Sequence, residues 1–156
     1  MKTTFYEIAS QAMRTECQRL EAYTAELDQN PDAKKAQVAE YKSAKYRYAA
    51  ISNVHARFLH SNRLKATLAN SHYVLAPIEE PLLLRPELLA EYESAEDKPS
   101  AGLYLGFTAF TDKKIAECED ELTRATDWEA IELTERLGGY RFARECLYDA
   151  WKEAAK

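Results

Sequence analysis

The stretch that decides the fold is PDAKKAQVAEYKSAKYRYAAISNVHARFLHSNRLKATLAN, which spans residues 31–70. Asn30 before it is a favoured helix N-cap, and Pro31 suits the first helical position because an N–H there would have no partner within the helix. No glycine and no further proline occurs before Leu68. The pattern predicts one long helix over residues 31–70, roughly 55 Å long at about 1.5 Å per residue.

Mostly apolar side chains repeat along this stretch at the spacing of a helix. The stripe comprises Val38, Tyr41, Ala44, Tyr48, Ile51, His55, Phe58 and Leu59. Three further apolar residues, Tyr46, Val54 and Leu64, lie off the stripe and indicate a second contact surface. A second copy of the chain would suit such a surface, so a homodimer is one expectation.

The same stretch concentrates positive charge. Its eight basic residues and two acids give a net charge of +6; because the whole chain carries −5, the remaining residues carry −11. A candidate binding face for nucleic acid or an acidic partner is formed by Lys42, Lys45, Arg57, His60 and Arg63.

Three interpretations of this charge remain open. In the first, acidic helices of the same chain pack against the basic helix and neutralise its charge. In the second, the basic side chains bind phosphates, with Tyr46 or His60 stacking on bases. In the third, the basic side chains bind an acidic protein. The overall acidity of the chain counts against the nucleic-acid interpretation, since domains that bind nucleic acid are typically basic.

The first 30 residues predict a partner for this helix. Thr4 and Glu7 have the spacing of a capping box, so a helix begins near Phe5. Its apolar stripe comprises Phe5, Ile8, Ala12, Met13 or Cys17, Leu20, Tyr23 and Leu27. The helix ends before Pro31, because the residue before a proline avoids the helical region. The short break predicts an antiparallel helical hairpin over residues 1–70.

Residues 71–100 have a different character. Pro77, Pro81 and Pro86 prevent a regular helix interior, yet the segment is rich in apolar residues. We therefore expect a proline-rich crossover that lies on the helices, followed by a short helix at Glu87–Glu93. We expect the apolar anchors of the crossover to be Val74, Ile78, Leu82 and Leu84.

Residues 101–156 predict a C-terminal cluster of helices. Residues 102–110 are compatible with a strand or a helix, and we favour a helix because no partner strand is evident. Thr126 and Glu129 have the spacing of a second capping box. Gly138 and Gly139 either end the helix that follows or mark a close approach of another backbone. A last apolar stripe follows at Tyr140, Ala143, Leu147 and Trp151.

The sequence therefore predicts an all-α fold, with one helical domain over residues 1–156. Three widely separated cysteines, Cys17, Cys118 and Cys146, argue against a disulfide framework and favour a reducing compartment. With no apolar core of a signal peptide and no apolar run that could span a bilayer, we expect a cytoplasmic protein without membrane association.

No catalytic or metal-binding motif is evident. The histidines lack the spacing of helical metal ligands, and no phosphate-binding loop or nucleophile elbow occurs. An enzyme would need a site assembled by the fold, such as His72 with Cys118 or Cys146. We therefore expect no cofactor, no metal and no catalysis.

The leading hypothesis for function is a protein-binding adaptor or inhibitor. Small, acidic helical chains are frequent among accessory proteins of phages and mobile elements, which suggests that class. The alternative is a nucleic-acid-binding protein that uses the basic face of the helix over residues 31–70.

Overall fold

The computed structural model of the protein describes residues 4–67, 94 and 98–156, and within these ranges it leaves out the side chains of 61–67 and 98–99. The described residues contain five helices and no strand, which confirms the all-α prediction. The helices are α1 (Phe5–Asp28), α2 (Pro31–Ala36), α3 (Val38–Thr67), α4 (Lys98–Leu122) and α5 (Asp127–Ala154). The predicted crossover anchors, the short helix at 87–93 and His72 lie outside the described residues.

Local signals start the first two helices as predicted. The backbone N–H of Glu7 donates to the hydroxyl of Thr4 (3.2 Å), and the N–H of Thr4 donates to the Glu7 carboxylate (3.1 Å). This reciprocal pair is a complete capping box. At the second helix the side chain of Asn30 accepts from the N–H of Ala33 (3.2 Å), with Pro31 at the first helical position.

The predicted helix over residues 31–70 is divided at Gln37, which is a correction to the sequence analysis. Gln37 has φ −118° and ψ 34°, and its side-chain oxygen accepts a hydrogen bond from the Tyr23 hydroxyl of α1 (3.1 Å). Asp28 of α1 accepts from Lys34 on α2 (2.8 Å) and from Tyr41 on α3 (2.9 Å). Contacts with α1 on both sides of Gln37 therefore hold the break, although neither glycine nor proline marks it.

The antiparallel hairpin of α1 and α3 is confirmed. The rings of Phe5 and Phe58 meet at one end, with centroids 5.9 Å apart. Farther along, Tyr48 of α3 donates its hydroxyl to Glu21 of α1, and Tyr41 does the same to Asp28 at the other end. Residue numbers rise along α1 as they fall along α3.

The C-terminal helices form a second antiparallel pair. Residues 102–110 lie in α4, so the helical alternative is confirmed. Ion pairs join α4 to α5 between Asp112 and Arg144 (3.2 Å) and between Glu119 and Arg141 (2.9 Å). The predicted second capping box does not form, because the Thr126 side chain makes no capping hydrogen bond.

A helix crossing joins the two pairs at Gly139. Helix α5 continues through Gly138 and Gly139, so they mark the close approach rather than a helix end. A Cβ atom on Gly139 would lie 2.8 Å from the carbonyl oxygen of Arg47 and 2.8 Å from Cβ of Ala50. Only a residue without a side chain allows α3 and α5 to cross this closely.

Helices α3 and α5 run in the same direction through the middle of the fold. Arg136 of α5 lies near the ring of Tyr46 on α3, and farther along Tyr140 accepts a hydrogen bond from Asn53 (3.1 Å). Val54, also off the predicted stripe, is fully buried in the core. At Tyr46 the second contact surface of α3 is thus occupied by α5 of the same chain, and at Val54 it is part of the core.

An aromatic cluster closes one end of the bundle. Its rings come from all four long helices and comprise Phe5, Phe58, Tyr104, Phe107 and Trp151. The opposite end, where α3 and α5 begin, has no such cluster within the described residues. The exposed apolar residues Val38, Trp128 and Ile131 lie toward that end.

Candidate interaction surface

Among the described residues, other helices cover two of the three sides of α3. One side faces α1 through Tyr48 and Phe58, and the second faces α5 through Tyr46 and Asn53. At about 100° per residue, the third side carries a set of positions that we call the outward face. The outward face comprises Lys45, Ala49, Ser52, Ala56 and His60. All five residues are exposed or partly exposed.

At the start of the outward face a lysine covers an exposed tryptophan. The Nζ atom of Lys42 lies 3.8 Å from the centroid of the Trp128 ring, at the beginning of α5. The tryptophan nevertheless stays 61% exposed. A lysine over an indole face is a favourable cation–π arrangement. It favours one orientation of Trp128 while leaving most of the ring accessible.

Two more exposed apolar side chains lie beside this pair. Val38 is one turn before Lys42 on α3 and is 47% exposed, and Ile131 is one turn after Trp128 on α5 and is 46% exposed. We call Val38, Lys42, Trp128 and Ile131 the Trp128 patch. Single exposed apolar residues are common, but a group of them on adjoining helices is typical of an interaction site.

The five residues that were predicted as one binding face lie in different parts of the structure. Lys42 belongs to the Trp128 patch, and Lys45 and His60 lie on the outward face. Arg57 lies toward α4, where its guanidinium carbon is 5.0 Å from the Phe110 ring and its Nε donates to Asn53 (3.1 Å). Arg63 holds a position in α3 in register with Lys45, and its side chain is outside the described set.

Part of the positive charge of α2 and α3 is matched within the fold. Arg47 lies 3.7 Å from Glu16 of α1, and Lys34 lies 2.8 Å from Asp28. Lys34, then Tyr41, and at longer range Lys45 hold the pKa of Asp28 below its ordinary value. These contacts support the interpretation that acidic helices face the basic one, but only on the side toward α1.

The outward face is different, because it carries no acid. No position of the outward face is an aspartate or a glutamate. Within the described ranges, neither Lys42 nor Lys45 forms an ion pair. Among the described residues, the positive charge on this side of α3 is therefore not neutralised by an ion pair.

A polar cleft of about 380 Å³ lies between α4 and α5. Its walls include an ion pair of Lys114 with Glu117 (3.4 Å) and one of Arg136 with Glu132 (2.9 Å). Two further acids of the lining, Glu121 and Glu129, form no ion pair among the described residues, so the cleft carries a net negative charge. In the described part of the chain, no three His, Cys, Asp or Glu side chains are grouped to hold a metal ion.

The cysteines and the described histidines do not form a nucleophilic site. Burial raises the pKa of Cys17 to about 11 and that of Cys146 to about 12, and it also raises the pKa of Cys118. Buried thiols of this kind are poor nucleophiles. His55 shares a hydrogen bond with Ser10 (3.2 Å), but Ser10 is itself buried.

Sequence reasoning missed Trp128 and Ile131 as members of the surface. Both come before the stripe of Tyr140, Ala143, Leu147 and Trp151, and no acidic or basic pattern sets them apart. A usable signal was the presence of two large apolar residues within the first turns of a helix otherwise rich in acids. Their proximity to Lys42, 86 positions before Trp128, depends on the parallel contact of α3 and α5.

None of the described helices has the length and apolar character needed to cross a bilayer. Comparisons with family models, with curated proteins and with solved structures find no match for this chain.

Proposed function

We propose that the protein is a non-catalytic adaptor or inhibitor that binds another protein through the Trp128 patch. The observation that carries the proposal is the exposure of Trp128 beside Val38 and Ile131, with Lys42 over its ring. Tryptophan is strongly enriched among the few residues that dominate binding energy at protein interfaces. Here the indole is oriented before a partner arrives, which lowers the entropy lost on binding.

The alternative, nucleic-acid binding through the basic face of α3, has weaker support. Lys42 is placed over Trp128, and Arg57 is held between Asn53 and Phe110. Lys45 also lies over a ring, that of Tyr41, at 5.5 Å, and Arg57 lies about 120° around α3 from Lys45, so the predicted residues do not form one track. A stripe for phosphates is expected to hold its cations along one open track.

The chain offers a matched control for Trp128. Tyr148, near the other end of α5, is also exposed (47%), and Lys152 lies 4.5 Å from its ring centroid. Both partners of that pair lie on α5, and no other large exposed apolar residue adjoins them in the described ranges. Trp128→Ser and Tyr148→Ser thus each remove one exposed aromatic ring with a lysine over it.

The experiment is quantitative capture from an extract of the source cell with immobilised wild type and both variants. We expect wild type and Tyr148→Ser to recover the same protein, and Trp128→Ser to recover about thirtyfold less, as expected for loss of about 2 kcal/mol at a hot spot. Equal recovery by Trp128→Ser, or recovery of nucleic acid in place of protein, would overturn the proposal.

A further inference from the structure

We infer that the segment seated on this surface is an acidic amphipathic helix of the partner, lying along the outward face of α3 with its apolar anchors on the Trp128 patch. The inference rests on the proposed function and specifies the chemistry of the partner. It depends on three properties of the surface: its charge, its small side chains and its length.

Charge complementarity on the α3 side indicates the sign of the partner. Lys42 and Lys45 lie at one end of that side and His60 at the other, and no carboxylate lies on the outward face; the acids Glu132 and Glu135 follow Trp128 on α5, at i+4 and i+7. Burial against a basic or neutral segment would leave the ammonium groups desolvated without partners, which is costly. Carboxylates at the matching positions of a docked helix give these cations partners and favour the correct register.

Small side chains indicate a helix as the occupant. Ala49, Ser52 and Ala56 occupy the middle of the outward face, one helical turn apart. They lie between Lys45 at one end and His60 at the other. A helix approaches closely along small residues by placing its own larger residues beside them, as in ridges-into-grooves packing.

The apolar anchors lie at the Trp128 end. Trp128 and Val38 come from two different helices, so the seam between α3 and α5 presents apolar surface on both sides. From Val38 to His60 the surface is about 33 Å long, which matches a helix of about 20 residues. Helices recognised in this way present apolar residues at i, i+3 or i+4, and i+7.

The test uses three synthetic 20-residue peptides labelled with fluorescein and titrated by anisotropy. The first carries Leu at helical spacing with Glu on both sides of the Leu stripe. The second replaces each Glu by Lys, and the third replaces each Leu by Gln. We expect only the first to bind wild type tightly, with an affinity that falls as salt is raised. Equal binding of the second or third peptide would overturn the inference.

Charge-reversal variants locate the contact. Lys42→Glu with Lys45→Glu is expected to weaken binding of the acidic peptide at least about tenfold. Lys113→Glu with Lys152→Glu makes the same change of net charge on α4 and on the distal part of α5, and is expected to leave binding within about twofold of wild type. Equal effects of the two double variants would mean that only net charge matters, and would overturn the inference.

Other occupants are separate outcomes that each overturn the inference. Tight binding of a single-stranded oligonucleotide, lost in Lys42→Glu with Lys45→Glu, assigns the surface to nucleic acid if the acidic peptide does not bind. A dimer in analytical ultracentrifugation that Trp128→Ser dissociates assigns the patch to a second copy. A large drop in the melting temperature of Lys42→Glu with Lys45→Glu means that the face is used within the fold.

The two proposals fail separately. If Trp128→Ser loses the captured partner but the acidic peptide does not bind, the protein-binding function stands and the acidic helix is wrong. If the peptide binds as expected but wild type captures no protein, the chemistry of the surface stands and the adaptor or inhibitor function is wrong.

Discussion

His55 lies half-buried between α1 and α3, where its Nε2 and the Ser10 hydroxyl share a hydrogen bond of 3.2 Å. Burial, and then the positive charge of Arg14, lower the pKa of His55 below its ordinary value of 6.5. Because the folded state resists protonation, the unfolded state binds more protons as the pH falls below that value. The contribution of neutral His55 to stability is therefore complete above about pH 6.5 and is lost as the pH falls through the folded-state pKa.

The corresponding variants are His55→Gln and His60→Gln. We expect the melting temperature of the wild type to fall between pH 7.5 and pH 5, and His55→Gln to flatten this decline, since glutamine does not titrate. His60 is exposed on the outward face, so His60→Gln should retain the wild-type slope. Differential scanning fluorimetry over this range measures both slopes, and parallel curves for wild type and His55→Gln would show that His55 does not set the pH dependence.

At the scale of helices, the crossing of α3 and α5 depends on one glycine. Gly139→Ala places a methyl group 2.8 Å from a backbone oxygen and from Ala50. We expect a loss of about 1–3 kcal/mol in the free energy of unfolding, because the helices must move apart. The measurement is urea denaturation followed by circular dichroism.

The neighbouring Gly138 supplies the matched control. A methyl group there meets only the terminal nitrogen of the Arg47 side chain at 3.3 Å, and that side chain can move. Because alanine favours a helix over glycine by about 0.5–1 kcal/mol, Gly138→Ala should be neutral or slightly stabilising. Equal losses for the two variants would mean that the effect is not caused by the crossing.

The helices themselves were largely predictable, because local chemistry determines them. The cap hydrogen bonds of Thr4 and Asn30 involve residues three positions apart, and the stripe of α1 has one buried side. The break at Gln37 was not predictable, since Tyr23 and Asp28 of another helix hold it. Val54 was misplaced because α3 packs on two sides, so its buried residues do not form a single stripe.

The candidate surface was predictable only in part. The cations at positions 42 and 45 were identified from charge and periodicity. Their apolar complement was not, because Trp128 reaches Lys42 only through the tertiary contact of α3 with α5. Arg57 was grouped with Lys45, yet the two positions lie about 120° apart around α3, and Arg57 contacts Phe110 of α4. Helical periodicity gives the side of a helix, but not which neighbouring helix covers it.

At the scale of the whole molecule, the reactivity of the three cysteines can show whether the helices unfold together. They lie on α1, α4 and α5 and are all buried. Because burial raises the pKa of each thiol, almost none is thiolate at pH 8, and the folded protein should resist iodoacetamide. We expect Cys17, Cys118 and Cys146 to react at one common rate that increases with urea.

Mass spectrometry of the alkylated peptides measures the three rates separately. A common rate would mean that the two helical hairpins unfold together. A faster rate for Cys118 alone would mean that α4 opens without the other helices, which contradicts this prediction. The fully denatured protein, in which all three thiols are accessible, gives the reference rate.

The parallel contact of α3 with α5 makes this chain equivalent to a heterodimer encoded as one polypeptide. In this comparison each hairpin corresponds to one subunit, and Gly139 lies at a close approach of the two. The Trp128 patch takes one helix from each subunit, so it exists only in the assembled pair. A partner that recognises this patch would therefore distinguish the assembled molecule from either hairpin alone, and its binding would strengthen their association by mass action.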